Sequence, residues 1–435
     1  MERDGRIEVL LLGTGTSGQV PSIACLTDPH GQGCRCCRSP DRKDTRRNTS
    51  ALVRIHQPSC PRDHGHHPPS APASSPLHVL IDVGKSFCEA AREFFPVHRI
   101  RRLDAVLLTH PQFSLSSPSF YSFLLRALRA RSNVSLDAFL STLKNGLDDL
   151  RAWTLGGAIQ DSIAIYCNEY THAEISRMHP YLVDSHAKTG GGDVPQFTWN
   201  IIRDGTAFNL FGIEILPLPV HHGKFFDANA GNKPYICTSY LLDKSVYYVS
   251  DVSLIPEETL EQLEKSLIRS DEDRKRSGGL LKVLIIDTLR LLPHASHFGV
   301  AQALQIAKRL NPVRTYLVGF THRVSHECWT YCCEAISQGR RSTEFDSIAR
   351  PDYVQPQGSE QGFVEKSRNA SELVLLEKGV IEDYEWFTRR ALQLIEAGAN
   401  PQLSSSENMP WVRPGFDGLV IRTLPGSSVT DDFYH

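Results

Sequence analysis

Leu103-Asp104-Ala105-Val106-Leu107-Leu108-Thr109-His110 is the stretch on which the fold turns. It is a short apolar run, the length of a buried strand, that ends in a polar pair. Polar residues at strand ends, facing a loop, are where α/β folds place their chemistry. Working outward, the same pattern recurs. Leu77-His78-Val79-Leu80-Ile81-Asp82-Val83-Gly84 is strand-like with an acidic end, and a helix-like stretch follows from Ser86 to Phe95. Ile213 to Val220 runs into His221-His222-Gly223. Tyr235 to Leu242 and Ser245 to Val249 read as a hairpin around Asp243-Lys244 that ends at Ser250-Asp251. Leu281 to Ile286 ends at Asp287; His294 and His297 then lead into a helix through Leu310, and Tyr316 to Phe320 ends in Thr321-His322.

Five strand-like runs therefore end in Asp82, His110, His222, Asp251 and His322. A single loop histidine carries no meaning, but five such tips on strands packed side by side can converge on one place. Imidazole and carboxylate suit zinc, iron or manganese, so the pattern points to a mononuclear or dinuclear metal site.

Composition sets the frame. The chain has 435 residues, with 47 Lys+Arg against 49 Asp+Glu and a formal net charge of −2. That balance argues against an electrostatic nucleic-acid or membrane binder. The hydrophobic share of 40% and charged share of 22% are those of an ordinary globular chain. The start, Met1-Glu2-Arg3-Asp4-Gly5-Arg6, is not that of a signal peptide, and Val9 to Leu12 is strand-sized rather than membrane-sized. Eleven cysteines, clustered as Cys34, Cys36, Cys37 and as Cys332, Cys333, fit a reducing, cytoplasmic compartment better than a disulfide framework. Gly13 to Gly18 follows a strand, but its spacing is not G-x-G-x-x-G and no helical pattern follows, which disfavours a dinucleotide loop. His56 to Pro76, rich in Pro, Ser and His, reads as a surface loop, and Tyr331 to Val380 is irregular apart from a candidate strand at Leu373 to Leu376. Tyr384 to Glu396 is helical, and Pro414 to Ile421 reads as a closing strand.

The order of these pieces resembles the metallo-β-lactamase superfamily, and within it the cyclic-phosphate phosphodiesterase branch typified by the enzyme of the carbon–phosphorus lyase pathway. The matching segments are Leu12-Gly13-Thr14-Gly15-Thr16-Ser17, the early cysteines, Arg47-Asn48-Thr49-Ser50, Leu80 to Gly84, Leu108-Thr109-His110, Leu218 to His222, Tyr248-Val249-Ser250-Asp251, Phe320-Thr321-His322 and Arg413 to Gly418. The resemblance implies an α/β fold, a four-layer αββα sandwich, as a single domain over 1–435 with insertions at 56–76, 111–144 and 331–380. It implies two divalent metal ions, zinc or manganese, and hydrolysis of a small or cyclic phosphodiester by a metal-bound water. His110 would be the first ligand of the family's His-x-His-x-Asp-His loop. His222 would complete the first metal's histidines, Asp251 would bridge the two ions, and His322 would bind the second. His297 lies where the branch places a histidine that protonates the leaving alkoxide. Asp82 and His221 would stand just behind the ligands; adjacent strand residues such as His221 and His222 point to opposite sides. A homodimer is left open.

The same resemblance implies a structural zinc held by Cys25, Cys34, Cys37 and His326, with Cys36 as an alternative to either neighbour. One departure counts against activity. After Thr109-His110 the family has a second histidine and then an aspartate, whereas this chain has Pro111-Gln112-Phe113-Ser114 and resumes the pattern only at Gly146 to Arg151. Pro111 to Lys144 reads as a translated intron or a wrongly drawn gene that splits the metal loop. Taken literally, the chain lacks two of the family's ligands, which opens the alternative of a degenerate, non-catalytic metal-binding protein. An RNA-processing metallo-hydrolase is the other alternative, and the net charge does not favour it.

Overall fold

The computed structural model describes residues 7–31, 33–56, 75–111, 146–187, 192–225, 233–268, 281–345, 383–398, 409–424, 426 and 428–434. Fifteen strands form two sheets. In the first, β1 (Ile7–Gly13), β2 (Ser50–Ile55) and β3 (Leu77–Ile81) run antiparallel. β4 (Ala105–Leu107), β5 (Ile163–Asn168) and β6 (Phe197–Ile202) then continue parallel to β3. The second sheet opens with β7 (Phe208–Leu210), β8 (Ile213–Lys224), β9 (Pro234–Leu242) and β10 (Val246–Val249), all antiparallel. β11 (Val283–Asp287), β12 (Arg314–Val318) and β13 (Val412–Pro414) follow in parallel. β14 (Val420–Thr423) and β15 (Val429–Asp431) return to the first sheet, where β14 pairs with β1.

Alternation along each strand explains the layering, because successive side chains point to opposite faces. Ile7, Val9 and Leu11 of β1 face Ile285, Tyr248 and Val318 of the other sheet in one apolar cluster. Leu10 and Leu12 point outward and pack on Phe87, Ala90 and Phe95 of the helix Phe87–His98. On the far side, Leu284, Ile286 and Leu317 are covered by the helices Glu257–Leu267, Val300–Leu310, His326–Ser337 and Tyr384–Gly398. Central strands buried on both faces read as continuous apolar runs, which is how they stand out in the sequence. The result is the expected αββα sandwich.

Three sequence expectations change. Residues 331–345 are not irregular: the helix His326–Ser337 buries Cys328, Trp329, Cys332, Cys333 and Ile336, and a further turn spans Ser342–Phe345. Pro414 to Ile421 is not one strand. It leaves the second sheet at Pro414 and enters the first at Val420, with Gly418 at φ +100° in the bend. β6 and β7 go unread because neither alternates cleanly. The remaining parts of the three expected insertions, 57–74, 112–144 and 346–380, lie outside the described residues, as does the candidate strand at Leu373 to Leu376.

Two bonds join the sheets at the end that carries the polar tips. Thr238 N of β9 donates to Thr109 O (2.7 Å), and the Tyr240 hydroxyl donates to Leu108 O (2.7 Å).

Candidate metal centre

Asp82 leaves β3 in the left-handed region, φ +63°, a conformation that aspartate tolerates better than most residues. This turns its carboxylate under the tip of β4. Oδ1 accepts from Thr109 N (2.9 Å) and Oδ2 from the Thr109 hydroxyl (2.8 Å). The same hydroxyl oxygen lies 2.8 Å from His110 Nδ1. Its single proton goes to Asp82, so His110 Nδ1–H is the donor and Nε2 is left as a free acceptor. Burial lifts the Asp82 carboxyl to about 6, against the pull of His110 and Thr109.

The second sheet supplies the other side. His222 Nδ1 donates to Ser296 O (2.7 Å), and His297 Nδ1 to Asp287 Oδ2 (2.7 Å). Each ring again has its Nδ1 tied, so that Nε2 faces the cleft when the ring is neutral; such partners fix the tautomer and orientation of metal-binding histidines. Burial drives His222 down to about 4. Burial would also lower His297, but Asp287 outweighs it and holds the ring up at about 9. Asp251, wholly buried, would be raised by desolvation, yet His110, His222 and His297 together draw it below the usual carboxylate range.

His222, Asp251 and His297 bring ligand atoms within 4.8 Å of one another, and so do Asp82, His110 and Asp251. Asp251 belongs to both groups. The ring centroids of His222 lie 4.8 Å from His297 and 5.6 Å from His110. The donor chemistry fits two divalent cations either side of one carboxylate. His297, expected as a proton donor, stands among the donors, and Asp82, expected behind them, does too. His221 is in neither group; its backbone pairs with Leu254.

His322 does not reach this cluster. Its Nδ1 lies 3.4 Å from both Cys25 Sγ and Cys34 Sγ, and with Cys37 the four make a second donor group. The chain after β12 is drawn there by Arg46, which donates to Val324 O (2.8 Å) and to Thr321 O. His326, expected as the fourth ligand, is buried elsewhere: its N donates to Asp44 Oδ1 (2.6 Å) and its Nε2 meets the Tyr434 hydroxyl (3.0 Å). Cys36 is likewise turned away, to Asp44 (3.6 Å). Burial raises the Cys34 and Cys37 thiols; a bound cation would favour their thiolates instead. Three cysteines and one histidine form a closed tetrahedral set suited to zinc.

Sequence reasoning overlooked Thr109 and Ser296 as orienting groups and gave Asp287 no role. Asp287 carried the signal, since it too ends an apolar strand.

Comparison with known proteins agrees with this architecture. Residues 142–320 match the beta-lactamase superfamily domain. Among solved structures, a diphosphatase from the PhnP family is 24% identical with a TM-score of 0.47, covering 74% of this chain and 89% of that one. Yeast PDE1, without ligand, is 10% identical with a TM-score of 0.37, covering 73% of this chain and 89% of that one. A stretch of 104 residues, 24% of the chain, is 36% identical to an octanoyltransferase of Porphyromonas gingivalis, and the match spans only 15% of that protein's length. No helix among the described residues is long and apolar enough to cross a membrane. The matched domain and the paired sheets that hold it make this chain a protein of the metallo-β-lactamase fold.

Proposed function

We propose that this chain is a metal-dependent hydrolase of a small or cyclic phosphodiester. The observation that carries the reading is the sharing of Asp251 between two donor groups. Asp82, His110 and Asp251 would hold one divalent cation, zinc or manganese, and His222, His297 and Asp251 the other. Two such cations neutralise a phosphoryl group and make a bound water acidic enough to attack in line. The protein's own part is orientation: Thr109, Ser296 and Asp287 hold the Nδ1 atoms of His110, His222 and His297, so that Nε2 of each faces the cleft. Cys25, Cys34, Cys37 and His322 would hold a structural zinc, and we read both sheets as one domain.

A second reading, a non-catalytic metal binder, is favoured by Pro111, which stands where the related enzymes would continue their ligand loop. One experiment separates the two: metal content per chain together with hydrolysis of bis(p-nitrophenyl) phosphate in manganese or zinc. Two equivalents beyond the cysteine-bound zinc, with turnover, support the hydrolase. Filled sites without turnover overturn it, and the cysteine-bound zinc alone supports the second reading.

A further inference from the structure

One wall of the cleft is aromatic. The Tyr235 ring, at the start of β9, lies 6.1 Å from His222 and 6.4 Å from His110, centroid to centroid. Phe225, just after β8, meets Tyr235 at 5.4 Å and 77°. Tyr170 meets Tyr235 at 6.1 Å and 78°, and Phe225 at 6.3 Å and 85°. In such edge-to-face contacts one ring offers its edge to the face of the next, so the cluster does not stack its faces away against itself. Tyr170 is 37% exposed, a large ring left open beside the polar cluster.

The wall is built into the fold. Tyr170 opens the helix Glu169–Met178, whose cap Asn168 accepts from Thr171 N (2.9 Å). The Asn168 amide also donates to the Thr238 hydroxyl (3.1 Å), tying that helix to the strand that carries Tyr235. Phe225 N donates to Lys233 O (3.0 Å), which fixes Phe225 at the mouth of the β8–β9 ladder. The Tyr235 hydroxyl, closed to water, has no hydrogen-bond partner among the described residues, an unmet need at the edge of the cleft.

We infer that Tyr170, Phe225 and Tyr235 receive a planar aromatic group carried by the substrate, so that the phosphodiester is one of a nucleoside rather than of a bare sugar or alkyl alcohol. This rests on the phosphodiesterase reading for the reaction but not for the binding. A flat heteroaromatic ring can lie on an aromatic wall whatever its sequence of substituents, and a base stacked on an aromatic side chain is worth enough to dominate recognition of a small molecule. The phosphate end of the same molecule would then fall beside His110 and His222.

The test uses the full chain loaded with manganese and two probes that differ only in the base, adenosine 5′-monophosphate and ribose 5-phosphate. Calorimetry gives the ratio of their affinities. The wild-type ratio should favour the nucleotide, and Tyr170→Ala should reduce the ratio roughly five- to hundredfold, with Tyr170→Phe retaining most of it. Equal affinities in the wild type, or a ratio that Tyr170→Ala leaves unchanged, overturn the inference. Turnover of adenosine 2′,3′-cyclic phosphate is measured alongside. Base-dependent binding without turnover sinks the hydrolase reading and leaves the aromatic wall standing; turnover without base dependence does the reverse.

Discussion

The Asp287 carboxylate, wholly buried at the end of β11, takes the Nδ1 proton of His297 at 2.7 Å and also accepts from Val252 N at 3.3 Å. It thereby couples the loop after Asp251 to the ring that faces Asp251's cleft. Removing its charge should loosen both. Asp287→Asn is expected to weaken metal binding or turnover by about 10- to 100-fold, the usual cost of losing a carboxylate behind a metal-binding histidine. Manganese titration followed by paramagnetic resonance measures it, and affinity equal to wild type would contradict the role.

The same pair gives the metal-stripped protein a pH signature. Burial would lower His297, but Asp287 raises it to about 9 from an unfolded value of 6.5. The folded state therefore holds this proton more tightly than the unfolded state. The stabilisation is complete below pH 6.5 and is lost as pH rises through 9, by at most about 3 kcal/mol. Asp82 and Asp287, lifted by burial to about 6, and Asp417, to about 7, have largely given up their protons before the upper part of that window. Urea unfolding of chelated protein at pH 7 and pH 10 should show the loss, and His297→Gln should flatten it.

Zinc content distinguishes the two histidines that follow β12. Cys34→Ser and His322→Ala should each lose the tightly held zinc, whereas His326→Ala should keep it. His326→Ala should still unfold more easily, by about 1 kcal/mol or more, because the Tyr434 hydroxyl and Asp44 lose a buried partner. Zinc retained by His322→Ala but lost by His326→Ala would restore the assignment read from the sequence.

Gly319 is required where β12 ends. Its φ is +85°, and a Cβ there would stand 2.3 Å from Asp287 Oδ1. Gly319→Ala should cost about 1–3 kcal/mol in backbone strain alone and should also displace the Asp287 carboxylate. Chemical denaturation gives the first effect, and the manganese affinity should fall with it.

Much of this was legible before any coordinates. Runs such as Leu103 to Leu108 declare themselves because a strand covered on both faces has no polar positions to interrupt it. Asp82, His110, His222 and Asp251 stand out as polar ends to those runs, and the structure brings the four together. His322 and His326 could not be told apart in that way. Both follow the same strand, and what separates them is a buried arginine, Arg46, that arrives from a loop nearly the whole length of the chain away. The split of Pro414 to Ile421 between two sheets was equally hidden, since one apolar stretch reads alike whether it stays in a sheet or crosses to the next.

That crossing has a consequence for how the protein is made. β1 acquires its neighbour β14 only across a sequence separation of 416 residues, as the bond from the Thr423 hydroxyl to Ile7 O records. On a ribosome moving at about 5–20 residues per second, roughly 20 to 80 seconds pass between the two strands leaving the tunnel. For that interval β1 presents an open, apolar edge of the kind that templates aggregation. Production of this protein should therefore respond to chaperones that shield nascent strands, and to slower growth, more than its final stability would suggest.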